Sequence, residues 1–258
     1  MKDWDARTYD RVSDPHQRWG ERVLNRLVLH GDEAAMDAGC GSGRVTRMLL
    51  ERLPRGRVYG VDQSPAMLAV AAEQLAEFGP RAILVQGELT NVQLPEPVAA
   101  IFSSATFHWI RDHDRLFRNL FGLLAPGGAL VAQCGGDGNI ARVRQCAGAV
   151  LGQAPFAEFV GLPRRTWRFA GAAETRTLLE SAGFERVDAW LEPEPTPFDT
   201  RERFQTFLGT VILGPYQDRL PTELHERFTQ RVADETERRG LDFVADYVRL
   251  NVTAYRPA

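Results

Sequence analysis

Residues 34–46 have the sequence AAMDAGCGSGRVT, in which a short apolar run reaches Asp37 and three glycines follow at alternate positions. The run is typical of a buried strand, and the apolar side of Val45–Leu53 predicts a helix directly after the glycines. Glycine between a strand and a helix lets the backbone approach a ligand closely, because glycine has no side chain and adopts positive φ angles. The stretch therefore predicts either a ligand site in an α/β fold or, more simply, a tight turn.

Strands and helices alternate five times in the first half of the chain. The predicted strands are 34–38, 57–61, 82–86, 99–103 and 130–134, and helices are predicted at 16–29, 45–53, 65–78 and 116–124. Such alternation is typical of a parallel sheet with helices on both faces. Beyond Gly135 the pattern changes to helices near 139–151, 172–182, 201–213 and 222–239, a strand at 186–191, a loop with three prolines and a last strand at 248–255.

Composition and charge narrow the class of protein. The chain has 258 residues, which fits one large α/β domain or a core domain with a small appendage. A net charge of -3 argues against a nucleic-acid-binding surface, and no stretch approaches the roughly 20 apolar residues of a membrane span. The N-terminal residues lack the apolar core of a signal peptide. Cys40, Cys134 and Cys146 have no metal-ligand spacing, so we expect no metal site and a cytoplasmic location.

A second acid, Asp62, ends the second predicted strand about 20 residues after the glycines. A carboxylate at this place can accept hydrogen bonds from both hydroxyl groups of a ribose, although an aspartate before a helix can also serve as a cap. Gly39, Gly41 and Gly43 bring the third glycine one residue earlier than in the dinucleotide fingerprint G-x-G-x-x-G. The combination favours a nucleoside cofactor that is not a dinucleotide.

Taken together, these motifs resemble the class I S-adenosylmethionine-dependent methyltransferases. The resemblance spans roughly residues 30–135 and rests on DAGCGSG at 37–43, VDQSPAML at 61–68, Gly87-Glu88-Leu89, the segment 102–110 and the turn at 124–128. It implies an α/β, Rossmann-like, doubly wound fold with a seven-stranded, mostly parallel sheet whose last strand is antiparallel. It also implies a single methyltransferase domain over 1–258, in which 30–135 bind the cofactor, 1–20 and 139–245 form a helical substrate lid, and 246–256 form the last strand.

The resemblance also assigns cofactor-binding roles. Glycine backbone would pass under the methionine part of S-adenosylmethionine, Asp62 would hold the ribose, and residues after the second and third strands would surround the adenine. Ser103 would lie near the sulfonium at the end of the fourth strand. These cofactor contacts are assigned to Asp37, Gly39, Cys40, Gly41, Asp62, Gln63, Met67, Gly87, Glu88, Leu89, Ser103 and His108.

His108 is the candidate catalytic residue, because it follows the fourth strand on the side expected to face the acceptor. It would act as a general base toward a hydroxyl or amine, or would only pack beside Trp109, and a carboxylate acceptor would need no base. Aromatic residues outside the cofactor motifs are expected to line an apolar acceptor chamber, although each also suits a protein core. The substrate-binding candidates are Trp4, Tyr9, Trp19, Trp109, Trp167 and Tyr216.

Within the family, the chain resembles the trans-aconitate methyltransferases. This resemblance rests on Trp4 and Tyr9 near the N-terminus, on the pair His108-Trp109, and on the late segment 208–215, LGTVILGP. Those enzymes typically have T-G-L-R-P in the late segment, with an arginine suited to a substrate carboxylate. This chain has Gly214 at that position.

We therefore expect an S-adenosylmethionine-dependent methyltransferase that methylates a small-molecule acceptor at an oxygen of a carboxylate or hydroxyl. The alternatives are an N- or C-methyltransferase of a secondary metabolite, a nicotinamide-dependent oxidoreductase and a non-catalytic cofactor-binding protein. Nucleic-acid and membrane partners are not expected, and the sequence predicts no oligomeric state.

Overall fold

A computed structural model describes residues 14–162 and 166–258, and within them the strands form one seven-stranded sheet. The first five strands pair in parallel in the order β3-β2-β1-β4-β5, and β7 follows antiparallel to β5, with β6 at the edge. This confirms the predicted doubly wound fold with an antiparallel last strand. The strands are β1 (Ala34–Ala38), β2 (Arg57–Asp62), β3 (Ala82–Gln86), β4 (Val98–Ser104), β5 (Leu124–Gly135), β6 (Glu185–Pro197) and β7 (Val244–Tyr255).

The helices alternate with the strands in the first half and dominate the second. Ser64 caps the helix that follows β2, because its hydroxyl accepts a hydrogen bond from the Met67 amide, and Pro65 is the first residue of this helix. A π-helix at Leu208–Ile212 follows the seventh α-helix. The α-helices are α1 (Asp14–Leu24), α2 (Arg44–Arg52), α3 (Pro65–Gln74), α4 (His113–Leu123), α5 (Ala141–Leu151), α6 (Ala172–Ser181), α7 (Arg201–Phe207), α8 (Gly214–Gln217) and α9 (His225–Arg238).

The chain divides into two compact units. The first contains the residues up to 137 together with 168–192 and 249–258, and the second contains 138–167 and 193–248. Helix α6 and the beginning of β6, which the sequence interpretation included in a lid, thus belong to the unit of the sheet. The division into a cofactor core and a substrate lid stays a prediction.

In the first unit, two apolar layers cover the sheet. Ala35, Phe102 and Val131 face a layer that includes residues of α1, α2 and α3, whereas Met36 and Ile101 face a layer that includes residues of α4 and α6. Strands buried on both faces need near-continuous apolar runs, which explains the sequence AAM before Asp37. Burying one large apolar side chain such as Phe102 contributes about 1.5–3 kcal/mol, so these layers fix the strand ends that carry the site.

The core of the second unit is rich in aromatic rings. Phe156 meets Phe228 of α9 edge to face with ring centroids 5.1 Å apart, and Tyr216 of α8 lies 6.0 Å from Phe228. Buried Asn139 accepts a hydrogen bond from the Val248 amide at 3.0 Å. These contacts tie α8, α9 and the first residues of β7 into one core.

Two elements differ from the sequence predictions. The prolines at 193, 195 and 197 lie in β6 and not in a loop. An edge strand tolerates them, because alternate residues turn their N–H groups away from the neighbouring strand and proline has none to lose. The predicted turn at 124–128 lies inside β5 as an irregularity, where Gly127 has φ +74° and the pairing with β4 shifts.

Candidate active site

The loop after β1 is held against the end of β2 by backbone hydrogen bonds. The amides of Gly39 and Cys40 both donate to the Val61 carbonyl, at 2.8 and 3.0 Å, and the Gly41 amide donates to Asp62 Oδ2 at 3.0 Å. The φ angles of Gly39, Gly41 and Gly43 are +86°, +54° and +89°, a region that disfavours other residues.

The first two glycines are needed for different reasons. A Cβ on Gly39 would lie 2.2 Å from Thr106 Oγ1, so that position excludes a side chain by contact with the protein. Among the described residues, a Cβ on Gly41 would meet nothing within 4 Å, so this part of the chain leaves open space beside the loop there. The glycine motif predicted that a ligand would lie close to the backbone of this loop, and the space beside Gly41 agrees with that prediction.

Asp62 is fixed at the end of β2 by two backbone amides. Its Oδ2 accepts from Gly41, and its Oδ1 accepts from the Ser64 amide at 2.9 Å. The aspartate therefore makes the turn contact expected of a cap and also reaches the glycine loop. A carboxylate has about four acceptor positions, so these two bonds are compatible with ligand binding as well.

Asp37 lies under the same loop and is fully buried. It accepts a hydrogen bond from the Thr46 hydroxyl at 2.7 Å. Burial raises the pKa of Asp37 to about 7, the negative charge of Asp62 acts in the same direction, and the bond from Thr46 opposes both. Burial likewise raises the pKa of the Cys40 thiol well above its usual range.

The loop after β3 meets the end of β2 on the expected adenine side. The Gly87 amide donates to the backbone carbonyl of Asp62 at 3.0 Å. Glu88 and Gln63 are exposed, whereas Met67 and Leu89 are buried. The Asn119 side chain donates to the Leu89 and Val92 carbonyls, both at 3.1 Å. The residues predicted to surround the adenine thus share one end of the sheet.

Ser103 makes a contact within the sheet that the sequence interpretation did not include, and its predicted place near the sulfonium stays a prediction. Its buried hydroxyl donates to the Ala38 carbonyl at 2.6 Å and thereby joins β4 to β1. A residue that the sequence interpretation missed, Thr106, reaches the loop instead, because its hydroxyl donates to the Gly39 carbonyl at 3.3 Å. The position of Thr106 just after β4, which lies beside β1 in the sheet, is the signal that could have indicated this contact.

His108 lies in the short 3₁₀ turn after β4 and is buried. Its Nδ1 accepts from the Gly135 amide at 3.3 Å, and its ring lies 5.2 Å from Trp109 and 5.9 Å from Phe169. The Arg168 amide donates to the His108 carbonyl at 2.8 Å. With Nδ1 as the acceptor, the neutral imidazole carries its proton on Nε2 and offers a hydrogen-bond donor there.

A buried polar layer, defined as Trp19, Gln133, Arg249 and Asn251, lies near the carboxyl end of β5 and the middle of β7. Arg249 Nε donates to Gln133 Oε1 at 3.3 Å, and Gln133 Nε2 donates to Asn251 Oδ1 at 2.9 Å. The Arg249 guanidinium lies 4.4 Å from the centre of the Trp19 ring. Trp19 was predicted to line the acceptor chamber. The other three residues were missed, although arginine and asparagine alternate within the apolar run VRLNV.

The other acceptor candidates belong to the second unit or are outside the described residues. Trp167 and Tyr216 belong to the second unit, where their rings are 6.2 Å apart and the Tyr216 hydroxyl donates to the Arg144 carbonyl at 3.3 Å. Trp4 and Tyr9 lie outside the described residues. Among residues 14–162 and 166–258, no cluster of histidine, cysteine and acidic side chains is placed to hold a metal ion, and no helix is long and apolar enough to cross a membrane.

Comparison with known proteins agrees with this arrangement. Residues 35–128 match the model of the methyltransferase domain family. The chain is 32% identical to the trans-aconitate 2-methyltransferase of Variovorax paradoxus over 241 residues, which cover 88% of this chain and 86% of that enzyme. It is 29% identical to the enzyme of the same name from Acidovorax sp., over 93% of both chains. The chain belongs to the S-adenosylmethionine-dependent methyltransferases.

Solved structures of other proteins have the same fold. Phosphoethanolamine N-methyltransferase 2 of Haemonchus contortus, in complex with S-adenosyl-L-methionine, superposes with a TM-score of 0.63 at 18% identity, over 98% of this chain and 57% of that one. The YcgJ protein of Bacillus subtilis superposes with a TM-score of 0.66 at 12% identity, over 94% and 100%.

These comparisons confirm the predicted enzyme class, a methyltransferase, and the predicted cofactor, S-adenosylmethionine. A nicotinamide-dependent oxidoreductase is not favoured. The described residues also fit the cofactor, because Gly41 borders open space beside the Asp62 carboxylate. The contacts predicted for the individual site residues stay predictions.

Proposed function

We propose that this enzyme transfers the methyl group of S-adenosylmethionine to a carboxylate oxygen of a small organic acid. The hydrogen bond from the Gly135 amide to His108 Nδ1 carries the proposal. A hydroxyl or amine acceptor must lose a proton, whereas the imidazole in this geometry presents a donor at Nε2. A carboxylate is already ionised at neutral pH and needs no base.

The residues of the first unit that would hold the cofactor lie along the carboxyl ends of β1, β2 and β3. The loop Gly39–Gly41 would lie beneath the methionine part, and Asp62 would accept from the ribose hydroxyls. Met67 and Leu89 would provide apolar contacts to the adenine, with Gln63, Gly87 and Glu88 at its edge. The cofactor, when bound, supplies a methyl group made electrophilic by the positively charged sulfur.

The protein contributes mainly by positioning the acceptor against the methyl group. An acceptor carboxylate oxygen forms a bond to the methyl carbon as the carbon–sulfur bond breaks, and sulfur keeps the electron pair. The products are a methyl ester and neutral S-adenosylhomocysteine, so no proton has to move. His108 Nε2 would orient the acceptor by a hydrogen bond, and alignment of the reacting atoms would supply most of the rate.

Several facts support a small organic acid as the methyl acceptor. The relatives that share about a third of the sequence are named for trans-aconitate. The net charge of -3 gives no basic surface for a nucleic acid. Gly214, however, replaces the arginine typical of those enzymes, so the acceptor here would differ in its number or placement of carboxylates. The three buried free thiols support a cytoplasmic location.

The proposal is tested with S-adenosylmethionine labelled in the methyl group and a panel of organic acids, alcohols and amines. A methyl ester releases labelled methanol in mild alkali, whereas an ether, an N-methyl or a C-methyl product keeps its label. We expect base-labile product from an acid. Base-stable product from an alcohol or amine, with no ester from any acid, would overturn the proposal.

A further inference from the structure

We infer that His113 is a positioning residue for methyl transfer, because it holds the 3₁₀ turn that presents His108 to the acceptor. The inference rests on the proposed function, in which His108 orients the acceptor. It starts from a buried imidazole outside the predicted site: His113, the first residue of α4, is 1% exposed. Histidine is less often fully buried than the aliphatic residues are, so an imidazole in this place requires an explanation.

The His113 ring donates a hydrogen bond to the backbone of the turn. Its Nε2 lies 3.0 Å from the Phe107 carbonyl oxygen. A carbonyl oxygen can only accept, so Nε2 carries the proton of the neutral ring and donates it. Burial lowers the pKa of His113, although the bond to the Phe107 carbonyl opposes this, so the ring is neutral at pH 7. Phe117, one turn further along α4, packs beside the ring with centroids 5.6 Å apart.

The turn has its own internal hydrogen bond and does not need His113 to close. The Ile110 amide already donates to the Phe107 carbonyl at 3.0 Å. The bond from His113 is a second one to the same oxygen, and it links the turn to α4. Because a peptide group is planar, a fixed Phe107 carbonyl also fixes the peptide nitrogen of His108.

Two further contacts hold the other parts of His108. The Gly135 amide of β5 donates to its Nδ1 at 3.3 Å, and the Arg168 amide donates to its carbonyl at 2.8 Å. The peptide nitrogen, the carbonyl and the ring of His108 are thus each set by a different part of the first unit. Loss of the contact with His113 would loosen the side from which α4 supports the turn.

The second ring nitrogen of His113 indicates that stability alone does not explain an imidazole here. His113 Nδ1 is buried and has no hydrogen-bond partner among the described residues. A buried acceptor without a partner lowers stability, and an apolar side chain of similar size avoids that cost. His113→Leu should therefore leave the free energy of unfolding unchanged or raise it, while it removes the bond to the Phe107 carbonyl.

The first measurement needs no acceptor, because the Gly135 amide reports directly on the His108 ring. Hydrogen exchange of this amide is followed by NMR in wild type, His113→Leu and His113→Gln. Glutamine is the conservative variant, since its side-chain amide keeps a donor. The control is Phe117→Leu, because Phe117 packs against the rings of His113 and Phe107 but cannot donate a hydrogen bond from its side chain.

We expect the Gly135 amide to exchange about 5- to 50-fold faster in His113→Leu than in wild type, relative to the other amides of β5. His113→Gln should return this relative rate toward that of wild type. Phe117→Leu should lower the free energy of unfolding, since it removes buried apolar contacts, and change the relative rate less than about twofold.

Steady-state kinetics then test whether His113 acts through His108. The acceptor is trans-aconitate or, where wild type does not methylate it, the compound of the labelled panel that gives the fastest reaction. We expect His113→Leu to lower kcat by about 5- to 50-fold, because the reacting atoms lose alignment, and to change KM and the affinity for S-adenosylhomocysteine less than about threefold. In a His108→Ala background the same substitution should lower kcat less than about twofold, since the two residues form one unit.

Failure of the inference differs from failure of the proposed function. Unchanged exchange at Gly135 in His113→Leu, or an equally large loss of kcat in the His108→Ala background, overturns the role of His113 while ester formation by wild type stands. Base-stable product overturns the proposed function, and exchange at Gly135 then still decides whether His113 holds His108. If His113→Leu does not fold, His113→Phe replaces it with the same expected outcomes, because phenylalanine keeps a ring and loses the donor.

Discussion

Along the carboxyl edge of the sheet, the cofactor half, defined as Asp37, Gly39–Gly43 and Asp62, differs in charge from the acceptor half, defined as His108 and Arg249. The cofactor half holds two carboxyl groups and a row of backbone amides. The acceptor half holds a buried guanidinium and a buried imidazole whose Nδ1 accepts from the Gly135 amide. A positively charged sulfonium suits the first and an anionic acid suits the second, so complementary charge would help to sort the two reactants.

The two halves also differ in how they are built. In the cofactor half the side-chain contacts join residues close in the chain: Gly41 and Asp62 are 21 positions apart, and Asp37 and Thr46 are nine positions apart. In the acceptor half Arg249 meets Gln133 across 116 residues. A short motif can encode the first kind of contact, whereas the second depends on the register of the last strand.

The largest expected effect tests whether the glycine loop of the cofactor half must keep its shape. Gly39→Ala places a Cβ 2.2 Å from Thr106 Oγ1 at a φ of +86°, and we expect a loss of about 3 kcal/mol in the free energy of unfolding. Binding of S-adenosylhomocysteine should be lost with it. Denaturant unfolding and calorimetry measure the two effects.

Gly41→Ala is the matched control, because a Cβ there meets no atom of residues 14–162 or 166–258 within 4 Å. We expect a loss of stability of about 1 kcal/mol from the positive φ, but a clear loss of cofactor affinity as the methyl group enters the ligand space. Equal destabilisation by the two substitutions would show that the loop is a tight turn only.

Asp62→Asn asks whether charge, and not only shape, defines the cofactor half. Asparagine keeps an oxygen for the Gly41 amide but cannot accept at both ends, and it loses the charge. We expect S-adenosylhomocysteine to bind about 10- to 100-fold more weakly, since hydrogen bonds to a charged group are lost. A helix cap without a ligand role would leave the affinity unchanged, and calorimetry decides between the two.

The sequence predicted the elements of the cofactor half well, because the contacts there join residues that are close in the chain. Strands β1 and β3 have the predicted bounds, and the neighbouring helices differ by a few residues at their ends. The hydrogen bond between Gly41 and Asp62 joins two motifs whose spacing alone indicated a shared site. Apolar runs and turn residues carry this information because they act within one strand–helix unit.

The contacts around Trp19 and Arg249 were not predicted, because their side-chain partners come from elements far apart in the chain. Trp19 was a candidate for acceptor contact and is found buried against Arg249, a residue that no local pattern distinguished. The prolines at 193, 195 and 197 indicated a loop, and only the edge position of β6 explains why they lie in a strand. Register and edge position are properties of the assembled sheet.

A titration of Asp37 tests how the charge of the cofactor half changes with pH. Its pKa is about 7 in the folded protein against 3.8 as the usual value, so the folded state binds more protons than the unfolded state between these pH values. Stability therefore falls as pH rises from about 4 to 7, by up to about 1.4 kcal/mol per pH unit. We expect Asp37→Asn to flatten this fall in denaturant unfolding at pH 5 and pH 8.

The same titration should favour the cationic cofactor. As Asp37 ionises near pH 7, S-adenosylmethionine should gain affinity relative to neutral S-adenosylhomocysteine in wild type and not in Asp37→Asn. A constant ratio of the two affinities across pH 6 to 8 would show that the Asp37 charge does not reach the sulfonium.

The smallest effect concerns Ser103, which stands where the two halves meet. Its hydroxyl joins β4 to the Ala38 carbonyl, so Ser103→Ala should cost about 1 kcal/mol and change the affinity for S-adenosylhomocysteine less than about threefold. Ser104→Ala is the control, because the buried Ser104 hydroxyl has no hydrogen-bond partner among the described residues, and its removal should leave stability unchanged or raise it. A loss of affinity above about tenfold in Ser103→Ala alone would instead favour the contact with the sulfonium end of the cofactor that the sequence predicted. Ser103 would then belong to the cofactor half, which would extend from β1 and β2 to include the end of β4.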